Sequence, residues 1–291
     1  MSAHLDRRDL LVYGGGLLAA APLASGWPLP LDRQTRHVVL IAFAGGVRTR
    51  ETFGAPGNVP TLRAMAEQGV LYTRVRCSNL GHFGATLSLF TGISEARGIR
   101  ENARGPDPTL FEYVRQAAGL EGGDVWISTS GGAQQANYSY SLHADYGPRF
   151  GANTLEGDGL FNKELKGILD SFGRPRQVEE RERELLARLR GALDRGAPAG
   201  LNSAESAAGV EAYILDELTG GTADIRGENA ADAKAIRVAQ NLLSIFKPRL
   251  VAVVLQQADV AHRSYNGYVE IIRQNDAAIG QLWRAAQADP T

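Results

Sequence analysis

The chain has 291 residues and is nearly neutral, because 31 lysines and arginines face 32 aspartates and glutamates. This balance excludes nucleic-acid binding driven by bulk charge, since the release of counterions from phosphates requires a basic surplus. Hydrophobic residues make up 44 % of the sequence, a normal globular share that argues against intrinsic disorder. The single cysteine, Cys77, excludes an internal disulfide and a zinc site built on several thiolates.

The first 26 residues predict an export signal. Arg7 and Arg8 precede an apolar stretch of about 15 residues, from Leu10 to Ala24, which is shorter than the ~20 residues of a bilayer span. The adjacent arginines favour the twin-arginine route, which exports folded proteins. An uncleaved N-terminal anchor is the alternative. We therefore expect the body of the protein in the periplasm or otherwise outside the cytoplasm, with no stable membrane span unless the signal stays uncleaved.

Residues 27–291 alternate predicted strands and helices, which indicates a single α/β domain. Strands are predicted at His37–Phe43, Val70–Val75, Val125–Ser128 and Leu250–Leu255, and helices at Pro60–Gly69, Phe83–Phe90, Thr109–Ala118, Ala230–Phe246 and Tyr265–Ala286. Continuous aliphatic runs indicate strands that are buried on both faces. The alternation predicts a doubly wound, mostly parallel sheet with helices on both faces and right-handed crossovers.

Residues 129–229 interrupt the alternation, and we interpret them as a loop-rich insertion. Residues 129–175 are rich in glycine, asparagine, serine and tyrosine, which predicts long loops with short elements. Glu179–Asp194 predicts a strongly charged helix with a stripe of leucines. A solvated face with i,i+4 ion pairs is the simpler interpretation of that helix, and packing against a protein partner is the alternative.

The segment after the last predicted strand is the strongest candidate for chemistry. Asp259 and His262 lie three residues apart just past Leu255, and ligands of open α/β sheets bind beyond the carboxyl ends of the strands. A carboxylate and an imidazole together suit a divalent cation with mixed oxygen and nitrogen ligands. The spacing by itself also fits Asp259 as a helix cap beside an incidental histidine.

Four segments, in order along the chain, resemble the alkaline phosphatase/sulfatase superfamily. Val39–Arg48 is similar to its first strand and loop, and Gly57–Thr73 to its P-N-I/L-D-x-L-A-x-x-G-x-x-F-T helix and strand. Thr86–Gly92 resembles the end of its nucleophile helix. Asp259 to Gly280, with His262, Tyr268 and Asp276 between them, is similar to its D-x-x-(x)-H … Y … D-x-x-I-G block.

The resemblance implies an exported, metal-dependent hydrolase of small anionic phosphate or sulfate esters. Family members hold one or two divalent cations (Zn, Ca, Mg or Mn) at the strand ends. These cations orient a serine, threonine or formylglycine nucleophile and neutralise the ester oxygens. A helix N-terminus behind the nucleophile adds backbone N–H donors, and Gly81–Gly84 lies where that helix would begin.

Several positions depart from the family pattern. The position of the first metal-binding aspartate is Ala44, which cannot ligate, and the nucleophile position falls on His82. A histidine can form a phosphoenzyme or bind a metal, and Ser78, Asn79 and Thr86 lie close enough in sequence to substitute for it. The later metal ligands of the family have no counterpart in this sequence.

The predicted site therefore has few ligands. Asp259, His262 and His82 are the candidate metal ligands, for one cation or none, and His82 and Thr86 are the candidate catalytic residues. His143 and Asp145 are further candidates from the loops. Asp276 is interpreted as an exposed carboxylate or a structural partner rather than a ligand, and Cys77 as a small buried residue.

Two functions stay open at this point. The first is an ester hydrolase of the phosphatase/sulfatase type with an atypical, impaired site. The second is a non-catalytic relative that binds an anion or a protein partner in the same crevice, because a phosphoryl-transfer site without its metal charges loses most of its electrostatic stabilisation. A generic α/β hydrolase and a dinucleotide enzyme are disfavoured, since the G-x-S-x-G and G-x-G-x-x-G patterns are absent from the sequence.

Overall fold

The computed structural model describes residues 36–76, 79, 81–94, 104–130, 135–156 and 225–288. The predicted export signal, the predicted charged helix at 179–194 and the residues Cys77 and Ser78 lie outside these ranges. None of the helices in the described ranges combines the length and the apolar composition needed to cross a membrane.

The described residues form strands and helices in an α/β order. The strands are β1 (Val38–Phe43), β2 (Val125–Thr129), β3 (Asn153–Glu156) and β4 (Leu250–Leu255). The α-helices are α1 (Pro60–Glu67), α2 (His82–Thr91), α3 (Leu110–Ala118), α4 (Gln135–Ser139), α5 (Ala230–Ile245), α6 (Gln257–Val260) and α7 (Tyr265–Gln287). Short 3-10 helices lie at Thr49–Glu51, Pro56–Asn58, Gly122–Asp124, Gly147–Phe150 and Ala261–Arg263.

The four strands form one parallel sheet in the order β1-β4-β2-β3. Phe43 at the end of β1 lies opposite Leu255 at the end of β4, and Thr129 at the end of β2 lies opposite Val254. The carboxyl ends of these three strands therefore meet at the same edge of the sheet. The prediction of an α/β fold with a parallel sheet is confirmed.

The fully buried strand β4 separates two hydrophobic clusters. Val251, Val253 and Leu255 pack into a cluster with residues of α5 and α7. Leu250, Ala252 and Val254 pack into a second cluster with residues of α2 and α3. Successive side chains of a strand point to opposite faces, so both faces of the sheet are covered by helices. This double burial explains why β4 is apolar at every position.

The predicted strand at Val70–Val75 is not formed. These residues follow α1 as turn and extended chain, and Val70, Tyr72 and Val75 are 76 %, 76 % and 80 % exposed. A run of β-branched and aromatic residues becomes a strand only where a neighbouring strand and a core face receive it. In the described part of the chain, this segment has neither.

The region predicted as long loops with short elements contains such elements as far as it is described. They are α4, the 3-10 helix at Gly147–Phe150 and the four-residue strand β3. Strand β3 has no strand pattern in the sequence, because its four residues, Asn-Thr-Leu-Glu, are few and mostly polar. Among the described strands, β3 lies at the end of the order and pairs only with β2, which is where a short polar strand is tolerated.

Candidate functional site

The loops that follow β1, β4 and β2 start side by side. The Ala44 amide donates to the carbonyl of Leu255 at 2.8 Å, and the Ser130 amide donates to the carbonyl of Val254 at 3.0 Å. These bonds continue the ladders one residue past the strands. The candidate site is therefore built on three adjacent strand ends, where parallel α/β sheets bind ligands.

A buried carboxylate holds the turn that follows β4. Asp232, at the start of α5, accepts hydrogen bonds from the amides of Gln256 at 2.8 Å and Gln257 at 3.2 Å. Its other oxygen accepts from Asn275 Nδ2 at 2.7 Å. Burial raises the pKa of Asp232, although these hydrogen bonds act in the opposite direction. The turn that positions Asp259 is thus attached to α5 and α7.

The loop after β1 lies directly against α6. A Cβ placed on Gly45 would come within 2.4 Å of the backbone nitrogen of Asp259, so only glycine fits at this approach. The buried hydroxyl of Tyr268 accepts a hydrogen bond from the Arg48 amide at 3.0 Å and donates to the carbonyl of Gly46 at 3.5 Å. Tyr268, from α7, therefore fixes the loop in this position.

The structure brings His82 and Asp259 together. The imidazole Nδ1 of His82 lies 3.5 Å from Oδ2 of Asp259, and the two side chains are 32 % and 38 % exposed. His82 is the first residue of α2, and Asp259 lies in α6 just past the end of β4. An acid and an imidazole from distant parts of the chain thus meet, partly exposed, at the edge of the sheet.

The N-terminus of α2 carries backbone donors at the same place. The first helical bond joins the Ala85 amide to the carbonyl of Gly81 at 2.7 Å, and Gly81, the N-cap residue, provides no side-chain cap. The three preceding N–H groups, those of residues 82–84, come before this bond and are of the kind that binds anions. Asn79 Oδ1 accepts from the Gly81 amide at 2.9 Å and lies 2.5 Å from where a Cβ on Gly84 would be.

Thr86 lies one turn into α2 and is buried. Its hydroxyl donates to the carbonyl of His82 at 2.8 Å, which is a bond within the helix. The buried Tyr138 lies next to Thr86, and burial raises the pKa of Tyr138. The Thr86 hydroxyl is therefore used inside the helix, and it does not reach the partly exposed side chains of His82 and Asp259. A catalytic role for Thr86 stays a prediction.

The structure does not group the loop candidates His143 and Asp145 with the pair, and the ligand role of His262 stays a prediction. His262 belongs to the 3-10 helix Ala261–Arg263, and its side chain lies outside the described part of the structure. His143 Nδ1 accepts from the Asp145 amide at 3.2 Å, and its ring packs against Tyr146. Within the described residues, no group of three or more histidine, cysteine, aspartate and glutamate side chains is arranged to hold a metal.

Asp276 is buried and structural, as one of its two interpretations predicted. Its carboxylate accepts from the amides of Thr61 at 2.9 Å and Leu62 at 2.8 Å, and so caps the N-terminus of α1. One turn later, a Cβ on Gly280 would lie 3.1 Å from the Thr61 side chain. The Asp-x-x-x-Gly spacing therefore attaches α7 to α1.

Two residues of the site were missed by sequence reasoning. Asp232 had no local signal, because its partners lie in the turn after β4 and on α7 and only the folded chain brings them together. Arg48 was included in the segment that resembles the family, but no role was assigned to it. Its position four residues after Ala44, in the loop that follows β1, was a signal that pointed to this edge.

Comparisons of the chain with protein-family models, with curated proteins and with solved structures gave no match. The resemblance to the alkaline phosphatase/sulfatase superfamily therefore stays a prediction. What the structure shows is a parallel α/β sheet with a histidine–aspartate pair at its carboxyl edge.

Proposed function

We propose that the protein is an exported hydrolase of small phosphate or sulfate esters, of the alkaline phosphatase/sulfatase type with an atypical site. The observation that carries the proposal is the 3.5 Å approach of His82 Nδ1 to Asp259 Oδ2, at the first turn of α2. The doubly wound arrangement of that family is part of the proposal, and the parallel sheet with helices on both faces supports it.

His82 is the nucleophile of the proposed reaction. Asp259 faces Nδ1 and favours the tautomer with the proton there, which leaves the lone pair of Nε2 available. Nε2 attacks the phosphorus or sulfur atom, the ester P–O or S–O bond breaks, and the alkoxide leaves and takes a proton from water. A water molecule then attacks the phosphorus or sulfur atom, and the N–P or N–S bond breaks with its electron pair returning to Nε2. The proton lost by this water neutralises the hydroxide formed in the first step, so phosphate or sulfate is released and the imidazole is restored.

The first turn of α2 stabilises the charge that develops in this reaction. Its backbone N–H groups and the positive end of the helix dipole lie at the residue that attacks. Preorganised donors of this kind need no reorientation when negative charge grows on the equatorial oxygens. Asn79 supports the geometry, because it packs against Gly84 and holds the Gly81 amide.

If the site holds a divalent cation, its ligands would be His82 and Asp259, with His262 as the third candidate. His82 would then not be the nucleophile, because a neutral imidazole has a single lone pair. A carboxylate and an imidazole are suitable donors, but the described residues supply only these two to one site. Two protein ligands leave most of the coordination to water and substrate, so the site fits a single, weakly held cation. When bound, it would neutralise charge on the ester oxygens.

The proposal is tested by hydrolysis of p-nitrophenyl phosphate and p-nitrophenyl sulfate. We expect His82→Ala and Asp259→Asn each to lower kcat/KM by about 10²–10⁴-fold, the range for loss of a reactive group or its partner. His143→Ala is the matched control, since this histidine lies on the loop that packs against Tyr146, and it should retain activity. Activity that survives both site variants contradicts the proposed roles.

A non-catalytic, anion-binding relative is the second candidate. It is favoured by Ala44, which is buried at the end of β1 where the family carries a ligand, and by the burial of Thr86. In that case the wild-type protein would bind phosphate or sulfate through the same His82 region without hydrolysing either ester. Dialysis against EDTA followed by addition of Zn, Ca, Mg or Mn separates an inactive site from one that lacks its cation.

A further inference from the structure

Arg48 is held rigidly in the loop that follows β1. Its Nε and Nη2 donate to the two carboxylate oxygens of Glu51, both at 2.8 Å. Glu51 is buried, whereas the Arg48 side chain is 59 % exposed. The guanidinium also lies 5.5 Å above the ring of Tyr268. A bidentate pair to a buried carboxylate together with an aromatic surface fixes the planar group before any ligand arrives.

The loop that carries Arg48 lies against α6, the short helix that contains Asp259. Gly45 lies against the backbone of Asp259, and Arg48 follows it three residues later. With 3.8 Å between consecutive Cα atoms, the Cα of Arg48 is at most about 11 Å from that of Gly45. The Arg48 amide is bound to Tyr268, so this segment stays close to α6 and α7.

The group formed by Arg48, Arg50 and Glu51 has a net positive charge. Arg48 and Arg50 both contact the single carboxylate of Glu51, the second at 3.2 Å, so this group has one positive charge more than it has negative charges. The contact with Glu51 raises the pKa of Arg48. A guanidinium has five N–H donors and Glu51 engages two of them, which leaves donors for a tetrahedral oxyanion on the exposed side.

We propose that Arg48 binds the phosphate or sulfate group of the substrate. Its positive charge takes the place of a metal cation at the end of β1, where Ala44 cannot act as a ligand. The inference rests on the proposed function and adds a substrate-binding residue to it. Ala44 cannot ligate a cation at the end of β1, whereas four residues later the chain presents a preorganised guanidinium. Arginine suits this role because its planar fork matches the oxygens of phosphate and sulfate.

The test is titration of the full chain with inorganic phosphate and, separately, inorganic sulfate, followed by calorimetry. We expect Arg48→Gln to weaken binding of either anion by at least about tenfold, as for loss of a charged hydrogen-bond donor. Arg48→Lys keeps the positive charge but loses the paired N–H donors of the guanidinium, and it should weaken anion binding less than Arg48→Gln does. Arg63→Gln is the matched control, since Arg63 is 58 % exposed on α1 and contacts Glu67 at 3.7 Å, and it should bind as the wild type does.

The outcomes separate this inference from the proposed function. Thermal unfolding of each variant is measured first, because Glu51 loses its main partner in Arg48→Gln; if that variant does not fold, Arg48→Lys decides. Unchanged anion binding in a folded Arg48 variant overturns the inference and leaves the hydrolase proposal intact. Weakened binding in a protein that hydrolyses neither ester supports the inference and overturns the hydrolase. A wild-type protein that binds neither anion overturns the inference, and the esterase assay then decides the function independently.

Discussion

Two carboxylates, Glu112 and Asp259, show how differently this fold treats the same chemical group. Glu112 is fully buried and accepts five hydrogen bonds, from the amide and hydroxyl of Thr109, the amide and hydroxyl of Ser141 and the amide of Gly147, at 2.7–3.0 Å. Asp259 is 38 % exposed, and the contact that defines it is an imidazole at 3.5 Å.

The difference separates a structural carboxylate from a candidate reactive one. Five donors saturate Glu112, so it joins the start of α3 to the 141–147 loop and has no capacity for a ligand. Asp259 keeps access to solvent and a titratable neighbour, as a group that must exchange partners during a reaction requires. Mutation of the buried, fully hydrogen-bonded Glu112 should therefore lower stability, whereas mutation of the partly exposed Asp259 should leave stability nearly unchanged.

The largest effect is expected for Glu112→Ala, which should lower the free energy of unfolding by about 3–5 kcal/mol. The substitution leaves several buried donors without an acceptor, and each such donor costs about 1–3 kcal/mol before the structure relaxes. Asp259→Asn is the comparison variant and should change stability by less than about 0.5 kcal/mol, since its site is partly exposed. Urea unfolding measures both. Equal losses of unfolding free energy in the two variants would contradict the distinction between Glu112 and Asp259.

A smaller effect, of about 1–3 kcal/mol, is expected for Gly45→Ala. The new Cβ would lie 2.4 Å from the Asp259 backbone nitrogen and 2.9 Å from the Ala258 Cβ, so the loop must move away from α6. On the proposed function, the same shift should also lower ester hydrolysis, because it displaces Asp259 relative to His82. Gly57→Ala is the control, since nothing lies within 4 Å of a Cβ there. A Gly45 variant with native stability and activity would show that this close contact does not hold the site.

The smallest effect is a pH dependence that arises beneath the site, at Asp232. Burial raises the pKa of Asp232 in the folded state above its unfolded value. The folded protein therefore binds this proton more tightly, and stability falls as pH rises from the unfolded pKa through the raised one. Urea unfolding of the wild type and of Asp232→Asn between about pH 4 and pH 7 isolates this contribution. The advantage of the wild type over the variant should shrink with rising pH, and an increase would contradict the assigned direction.

Local patterns accounted for most of the regular elements. The apolar run Leu250–Leu255 was predicted as a strand and is β4 with the same bounds. The helices predicted at Phe83–Phe90 and Tyr265–Ala286 are α2 and α7, displaced by at most one residue at either end. These predictions succeeded because both patterns, a continuous apolar run and an amphipathic stripe between turn residues, depend only on residues that are close in sequence.

The predictions that failed depended on contacts between distant parts of the chain. Val70–Val75 has the residue types of a strand, but no strand in the described structure pairs with it. The role of Glu112 was also missed, although Thr109-Leu110-Phe111-Glu112 has the spacing of a capping box and forms one. The capping box was readable from the sequence, whereas the bonds from Ser141 and Gly147 were not, because they join separate parts of the chain.

The sequence by itself determined most of the strands and helices, among them β4, α2 and α7, and which residue types follow the strand ends. The tertiary structure decided the order β1-β4-β2-β3, and with it the meeting of His82 with Asp259 and of Asp232 with the turn after β4. The physical reason is that secondary structure depends on the periodicity of nearby side chains. Strand order and long-range pairs depend instead on which surfaces the whole chain can bury together.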